Sequence, residues 1–345
     1  MSNSNVLPDE YLLLPLRCKY YLWCSTRKRV NTLVLVPIPA DYCGPRIRKR
    51  RTKAPLGDVA RCYDILIQPD TRSATPMPVL PPNLDAVIEE AWQRVRDVPG
   101  FLQEGEARFL GLLAAGAPAN GTIVEIGSFK GRSTVMLASM AKHYGLGPVV
   151  AIDPHTTTAP TDPVLEKGSS TFEEFVASLR AAGVESFVEV HRACSRDVAE
   201  GWKRPIRLLW IDGDHTYAGV KEDFQRFSPF VSSGGIVALH DALHGYEGPI
   251  RVFVEEILRS DRFGPAGFVK SIAWSQHRPD DGGAFREQRE KLDLRARGFV
   301  PLLKNGNILR GFNKLKYNLI RARVPRAVIS PAQWAAMISQ DASKH

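Results

Sequence analysis

From Asn83 onward the apolar residues fall into two alternating rhythms. Leu84, Val87, Ile88, Ala91, Trp92 and Val95 recur at helical spacing behind Asn83, which predicts a helix with one buried face and an Asn cap. Short, mostly apolar runs follow at Thr122–Ile126, Val149–Ile152, Phe187–Val190, Leu208–Ile211 and Ile236–Leu239. Such runs have strand length, and their continuity suits strands buried on both faces of a parallel sheet. Between them lie helical patterns, at Phe172, Phe175, Val176 and Leu179 and again at Val220, Phe224 and Phe227. After the fifth run, Ile250, Phe253, Val254, Ile257 and Leu258 predict a further helix, followed by a candidate strand at Phe268–Trp274. Strand and helix in alternation predict a doubly wound, Rossmann-like α/β sheet with helices on both faces, whose ligands sit at the carboxyl ends of the strands.

The flanks lack this rhythm. Residues 1–80 show no sustained period, and the charge run from Arg46 to Lys53 precedes Pro76, Pro78, Pro81 and Pro82, so a basic, poorly ordered arm and linker is expected. A start codon placed too early is an alternative expectation, since Met77 is the first methionine after Met1 and stands just before the first helix. Beyond Trp274, Asp280-Asp281-Gly282-Gly283 reads as a turn and Ala284 to Arg297 as a charged helix. Ser330-Pro331-Ala332-Gln333 has capping-box spacing with Pro at the first helical position, ahead of Trp334, Met337 and Ile338. The expected division is an arm over 1–80, the α/β domain over 81–278 and a basic helical extension over 279–345.

Composition and charge sharpen that division. At 345 residues, 44% hydrophobic and 24% charged, the chain is an ordinary globular one. Its formal charge of +9 suggests a polyanion partner until it is split. Residues 1–80 carry +7, residues 81–260 carry −7 and residues 261–345 carry +9, so the patterned centre is acidic. Cys18, Cys24, Cys43 and Cys62 lie in the first flank and Cys194 alone in the rest, which is not a disulfide framework. No apolar run reaches the roughly 18 residues that cross a bilayer, and no cleavable signal order is evident. A cytoplasmic enzyme is therefore the expectation.

The sharpest local feature is Val124-Glu125-Ile126-Gly127-Ser128-Phe129-Lys130-Gly131-Arg132-Ser133-Thr134, leaving the first strand and opening a helix. Glycines at the turn let a ligand approach the backbone, and the helix start offers unpaired N–H groups. The spacing is Gly-x-x-x-Gly behind an acid rather than the dinucleotide Gly-x-Gly-x-x-Gly. Glu125 at that mouth disfavours a pyrophosphate and suits a cationic ligand. Asp153, ending the second strand, can accept both hydroxyls of a ribose. Adenosine with a cationic tail is what S-adenosylmethionine presents.

This loop is joined by Ala151-Ile152-Asp153-Pro154-His155, by Trp210-Ile211-Asp212-Gly213-Asp214-His215-Thr216-Tyr217 and by Gly234-Gly235-Ile236-Val237-Ala238-Leu239-His240-Asp241. Together, in this order, they resemble the class I S-adenosylmethionine-dependent methyltransferases. The closer resemblance is to the metal-dependent O-methyltransferases that act on sugars, glycosylated antibiotics and bacterial glycans, over about residues 84–275. The resemblance implies Glu125, Gly127 and Ser128 near the methionine part of the cofactor, with Gly131 and Ser133 in the same loop. It implies Asp153 on the ribose and Ser195 beside the adenine. It also implies a divalent cation, Mg²⁺ or Mn²⁺, on Asp212, His240 and Asp241.

Asp212, Asp214, His215, His240 and Asp241 end the fourth and fifth strands, and carboxylates gathered there repel one another unless a cation offsets them. Oxygen-rich groups favour Mg²⁺, and several relatives carry a carboxylate at the position of His240. Imidazole is a poorer partner for Mg²⁺ than for Mn²⁺, so His240 is preferred as general base beside the ion while remaining a ligand candidate. A sugar hydroxyl is too weak an acid to react unaided, and a nearby divalent ion lowers the pKa of such an oxygen. Asp214 reads either as a helix cap or as a substrate contact, and His215 as a supporting or substrate-facing residue. His155, just past Asp153, is a candidate substrate contact, whereas His143, His191, His244 and His277 are expected at the surface.

The leading expectation is an O-methyltransferase acting on a hydroxylated small molecule or glycan. The alternative is a nucleic-acid methyltransferase or RNA-binding protein using the basic flanks, for which no RNA-binding signature or interleaved aromatic spacing speaks. A third is an interaction module that kept the fold and lost the reaction. The C-terminal segment can be a lid, a glycan dock or a contact between copies in a homo-oligomer, and the sequence does not choose.

Overall fold

The computed structural model describes residues 20–24, 33–37, 80–156, 161, 170–306 and 309–339. The chain divides into two units, Met1–Asp70 and Thr71–His345. In the first, strands β1 (Tyr20–Cys24) and β2 (Leu33–Pro37) pair antiparallel. The expectation of a poorly ordered arm over the rest of that segment lies outside the described residues.

The second unit is built on a seven-stranded sheet. Its strands are β3 (Thr122–Ile126), β4 (Val149–Ile152), β5 (Val188–His191), β6 (Ile206–Ile211), β7 (Val231–Leu239), β8 (Phe263–Val269) and β9 (Ile272–His277). They lie in the order β5-β4-β3-β6-β7-β9-β8, with β3 to β7 parallel and β9 antiparallel to β7. The order reverses at β3, and such a reversal opens a crevice at the carboxyl ends of its neighbours.

Alternation along each strand divides the core. Ile123, Leu208, Trp210, Ile236 and Ala238 face one apolar cluster, while Val124, Leu209, Ile211, Val237 and Leu239 face the other. The first cluster is closed by α1 (Leu84–Val95), α2 (Glu104–Gly116), α3 (Arg132–Tyr144) and α4 (Phe172–Ala181). The second takes α6 (Tyr217–Phe227) and α7 (Glu247–Val252), with the short α5 (Ser195–Ala199) leading into β6. All six residues of β6 are buried, as a central parallel strand requires, whereas edge strand β5 is only half-buried.

Four features differ from the sequence expectations. Asn83 precedes α1 in a left-handed conformation and makes no side-chain cap. The single strand expected at Phe268–Trp274 is a hairpin, β8 and β9, turning at Lys270 with φ 54 and no glycine or asparagine to mark it. His277, expected at the surface, is buried on β9. The segment after residue 279, expected as a basic helical extension, is helical and is packed into the domain, since α8 (Arg286–Ala296), α9 (Val300–Leu303), α10 (Gly311–Arg323) and α11 (Pro331–Ile338) send side chains into the same two cores. Buried Trp334 donates from Nε1 to the Gly116 carbonyl at 2.9 Å and packs on Trp274. The capping box of Ser330 and Gln333 is formed as its spacing predicts.

Candidate active site

Sheet register gathers the site. Ile126 is paired with Ile211 and Ile211 with Leu239, so the residues one step beyond, Gly127, Asp212 and His240, emerge side by side. The ladder runs on past the strand ends: Asp212 N–H donates to the Ile126 carbonyl at 2.8 Å and His240 N–H to the Ile211 carbonyl at 3.0 Å. A cavity of about 330 Å³ opens there, lined by Gly127, Ser128 and Asp153 on one side and Asp212, His240 and Asp241 on the other. Ser133, His155, Ser195, Asp214 and His215 also line it.

The glycine loop is held from two directions. Asp153 Oδ2 accepts from the N–H groups of Ser128 and Phe129, each at 2.8 Å, and Oδ1 accepts from His155 N–H at 2.6 Å. A carboxylate has about four acceptor positions, so Asp153 retains capacity for a hydroxyl donor. Glu125 lies beneath the loop and does not line the cavity, because it follows Ile123 on the α3 face of β3. Its Oε2 accepts from Thr134 Oγ1 at 2.5 Å and Ser128 Oγ at 3.1 Å, while Oε1 has no hydrogen-bond partner. Burial pushes its carboxyl up to about 7 against the pull of the Ser133, Thr134 and Ser128 bonds. Of the residues expected at the cofactor, Glu125 and Gly131 do not line the cavity, and Gly131 is the left-handed cap of α3.

The acidic cluster forms as the motif spacing suggests. One ligand atom from each of Asp212, His240 and Asp241 lies within 4.8 Å of the others. His240 Nδ1 is 2.9 Å from Asp212 Oδ1 and 3.4 Å from Asp241 Oδ1. Its Nε2 faces Glu106 Oε2 at 3.4 Å. Glu106, on α2, is a site residue that the sequence reading missed. It is buried, and it accepts from the N–H groups of Ser271, at 3.1 Å, and Gln103, at 3.0 Å. Burial alone would raise the Glu106 carboxyl, but the bonds from His240 and Ser271 outweigh it and hold it down at about 2. Burial likewise opposes charge on His240, yet Asp212 and Glu106 raise its pKa well above the usual imidazole value.

That geometry bears on the two readings of His240, general base or metal ligand. Both ring nitrogens face carboxylates, so neither is free to take a proton from substrate. The carboxylates on both sides favour the protonated ring, with Nδ1–H toward Asp212 and Nε2–H toward Glu106. Nδ1 could ligate a cation only on giving up its proton, and Glu106 would then keep the proton on Nε2.

The remaining candidates separate by what they touch. His215 Nε2 approaches Asp212 at 3.4 Å and Asp241 at 3.6 Å, neither ring nitrogen has a hydrogen-bond partner among the described residues, and its ring stacks on Tyr246. Asp214 accepts from the backbone N–H and hydroxyl of Thr216 at 2.8 and 2.7 Å, and Thr216 itself caps α6, so Asp214 braces the turn rather than capping the helix directly. His155 is buried between Phe172 and Phe175 with Nδ1 at 3.0 Å from Thr171 Oγ1, so its ring is committed to packing. Ser195 donates to Asp223, a buried acid pushed up to about 7 by burial and also unforeseen from sequence. His244 is exposed, as expected, and its Nδ1 lies 2.6 Å from Asp241 Oδ1.

Residues 124–242, which span β3 to β7, match a family described as a methyltransferase domain. Among solved structures the chain is similar to an O-methyltransferase from Bacillus cereus in complex with SAH, at 20% identity over 64% of this chain and 97% of that one, TM-score 0.40. It is similar also to the O-methyltransferase TomG from Streptomyces achromogenes, in complex with SAM, at 19% identity over 56% and 89% of the two chains, TM-score 0.39.

Proposed function

From a chain that carries a methyltransferase domain, we propose an O-methyltransferase that moves the methyl of S-adenosylmethionine to a hydroxyl of a small molecule or glycan with a divalent cation at hand. The observation that carries this reading is one cavity with a glycine loop and ribose-ready acid on one wall and Asp212, His240 and Asp241 on the other. Those three groups fit Mg²⁺ or Mn²⁺, since two carboxylate oxygens and one imidazole nitrogen converge and leave positions for water and substrate. When bound, the ion would orient the acceptor oxygen and lower its pKa.

The chain's own residues divide the rest of the work. The Gly127–Ser128 backbone and Ser133 line the cofactor side, with Asp153 taking the ribose and Ser195 standing beside the adenine. Asp153 also fixes the loop through its two backbone N–H bonds, so the cofactor meets a preset wall. Glu106 orients His240, and His240 orients Asp212. His215, which lines the cavity and has no hydrogen-bond partner on either ring nitrogen among the described residues, is the better-placed proton acceptor. The acceptor oxygen forms the new O–CH₃ bond as the sulfonium S–CH₃ bond breaks, the hydroxyl proton passing to His215 and the sulfur electron pair leaving with S-adenosylhomocysteine.

Incubation of the protein with methyl-labelled S-adenosylmethionine and host extract, with and without chelator, tests this. Label is expected in a hydroxylated acceptor, lost with chelator and restored by Mg²⁺ or Mn²⁺. Undiminished turnover in excess chelator would remove the cation, and failure to bind S-adenosylmethionine would remove the enzyme.

A further inference from the structure

The excess positive charge at the C-terminal end has no place in the reaction above, and α10 gives it one. This helix turns only part of its surface inward: Tyr317 is buried against Phe299 at 5.0 Å, and Ile320 packs with the same core. Its other side carries Phe312, 77% exposed, with Leu315 and Leu319, each 55% exposed. At about 100° per residue these three lie within an arc of about 60°, on a helix roughly 20 Å long. Large apolar side chains aligned on one outward helical face are not the scattered exposure common on soluble proteins.

The charge around the stripe is of one sign. Residues 310–326 contain Arg310, Lys314, Lys316, Arg321, Arg323 and Arg326 and no Asp or Glu. Among the described residues none of these six makes an ion pair within 4.0 Å. Lys316 and Arg323 border the apolar arc. A polar face rich in Lys and Arg beside an exposed apolar one is the pattern of a helix that lies in a bilayer interface.

We propose that α10 seats the protein on an anionic lipid surface, with Phe312, Leu315 and Leu319 entering the headgroup boundary and the flanking basic side chains meeting lipid phosphates. Charge selects this occupant over the others. A second copy on a two-fold axis would set this cationic helix against itself. The chain's first 80 residues carry +7, a charge of the same sign. A nucleic acid would satisfy the charges and leave the apolar stripe in water. No described helix is long and apolar enough to cross a membrane, so the contact is peripheral. It is also tied to the site: just after α10, the Arg326 carbonyl accepts from Lys270 N–H at 3.2 Å, and the neighbouring Ser271 holds Glu106.

The test is flotation of the full chain with vesicles of phosphatidylcholine alone and of equimolar phosphatidylcholine and phosphatidylglycerol. Binding to the anionic vesicles alone is expected, weakened by salt and weakened roughly tenfold or more by Phe312→Ser/Leu315→Ser/Leu319→Ser. Lys314→Glu/Lys316→Glu is expected to weaken it as well, and both variants should keep the parent melting temperature, being changes at exposed positions. No binding to anionic vesicles overturns the proposal, as does binding that the triple variant retains in full. RNA binding that depends on the six cations without vesicle binding overturns it too, as does a solution dimer that the triple variant dissociates.

Discussion

At the scale of single residues, the site is governed by which acids are left buried with partners and which without. Glu125 has hydroxyl donors on one oxygen and none on the other, and burial raises its carboxyl to about 7. In the unfolded chain it ionises near the ordinary value of 4.5, so stability falls as pH rises from there and the loss is complete once pH passes about 7. The full penalty is on the order of 3 kcal/mol. Glu125→Gln removes the ionisation while keeping an acceptor, so urea midpoints should favour the variant over the parent at pH 8 and not at pH 5; equal differences at the two pH values would refute the assignment. Glu106 is the opposite case, a buried acid whose two oxygens are all engaged. Glu106→Gln is expected to lower kcat roughly 10- to 100-fold by loosening His240, with little change in S-adenosylmethionine affinity. An equal loss in both quantities would show a general structural defect instead of a positioning role. Neither behaviour could be read from the sequence, because it shows that Glu125 precedes a glycine loop but not that it lies under it, and nothing local marks Glu106 apart from other helix acids.

At the scale of elements, the parallel strands were legible and the turns were not. Continuous apolar runs located β3 to β7 within a few residues because central parallel strands are buried on both faces and leave that trace whatever their neighbours do. The β8–β9 hairpin reads as one strand because its turn uses Lys270 in a left-handed conformation, for which sequence gives no cue. The motifs of the site were legible for the same reason as the strands, since each is the residue or two beyond a buried run. Gly127 shows how tightly two such ends meet. Its φ is 86, and a Cβ there would lie 2.3 Å from the Asp212 carbonyl oxygen, a backbone atom with nowhere to go. Gly127→Ala should therefore part the β3 and β6 ends, lowering the melting temperature and abolishing S-adenosylmethionine binding by calorimetry. A variant that melts and binds as the parent does would mean the two ends can separate freely.

At the scale of the whole molecule, the charge split and the packing split do not coincide. The boundary between acidic centre and basic C-terminal flank suggested an appendage after residue 279, yet Thr71–His345 is one compact unit with no division there. The reason is that a few large side chains in a cationic segment suffice to anchor it: Arg289 is fully buried and donates to the carbonyls of Leu258 and Gly282 at 3.1 and 2.7 Å, and Trp334 fills the space beside Phe109 and Trp274. Net charge reports what a segment shows to solvent, whereas docking is decided by the few residues it hides. The two flanks should then respond differently to removal. Trp334→Ala loses an aromatic side chain from the first core and is expected to cost about 3–5 kcal/mol, and deletion of residues 331–345 at least as much. Deletion of residues 1–70, a separate unit, is expected to leave the unfolding midpoint of the rest within experimental error. Urea titrations of the three variants decide the matter, and a parent-like midpoint after loss of residues 331–345 would restore the view of that flank as an appendage.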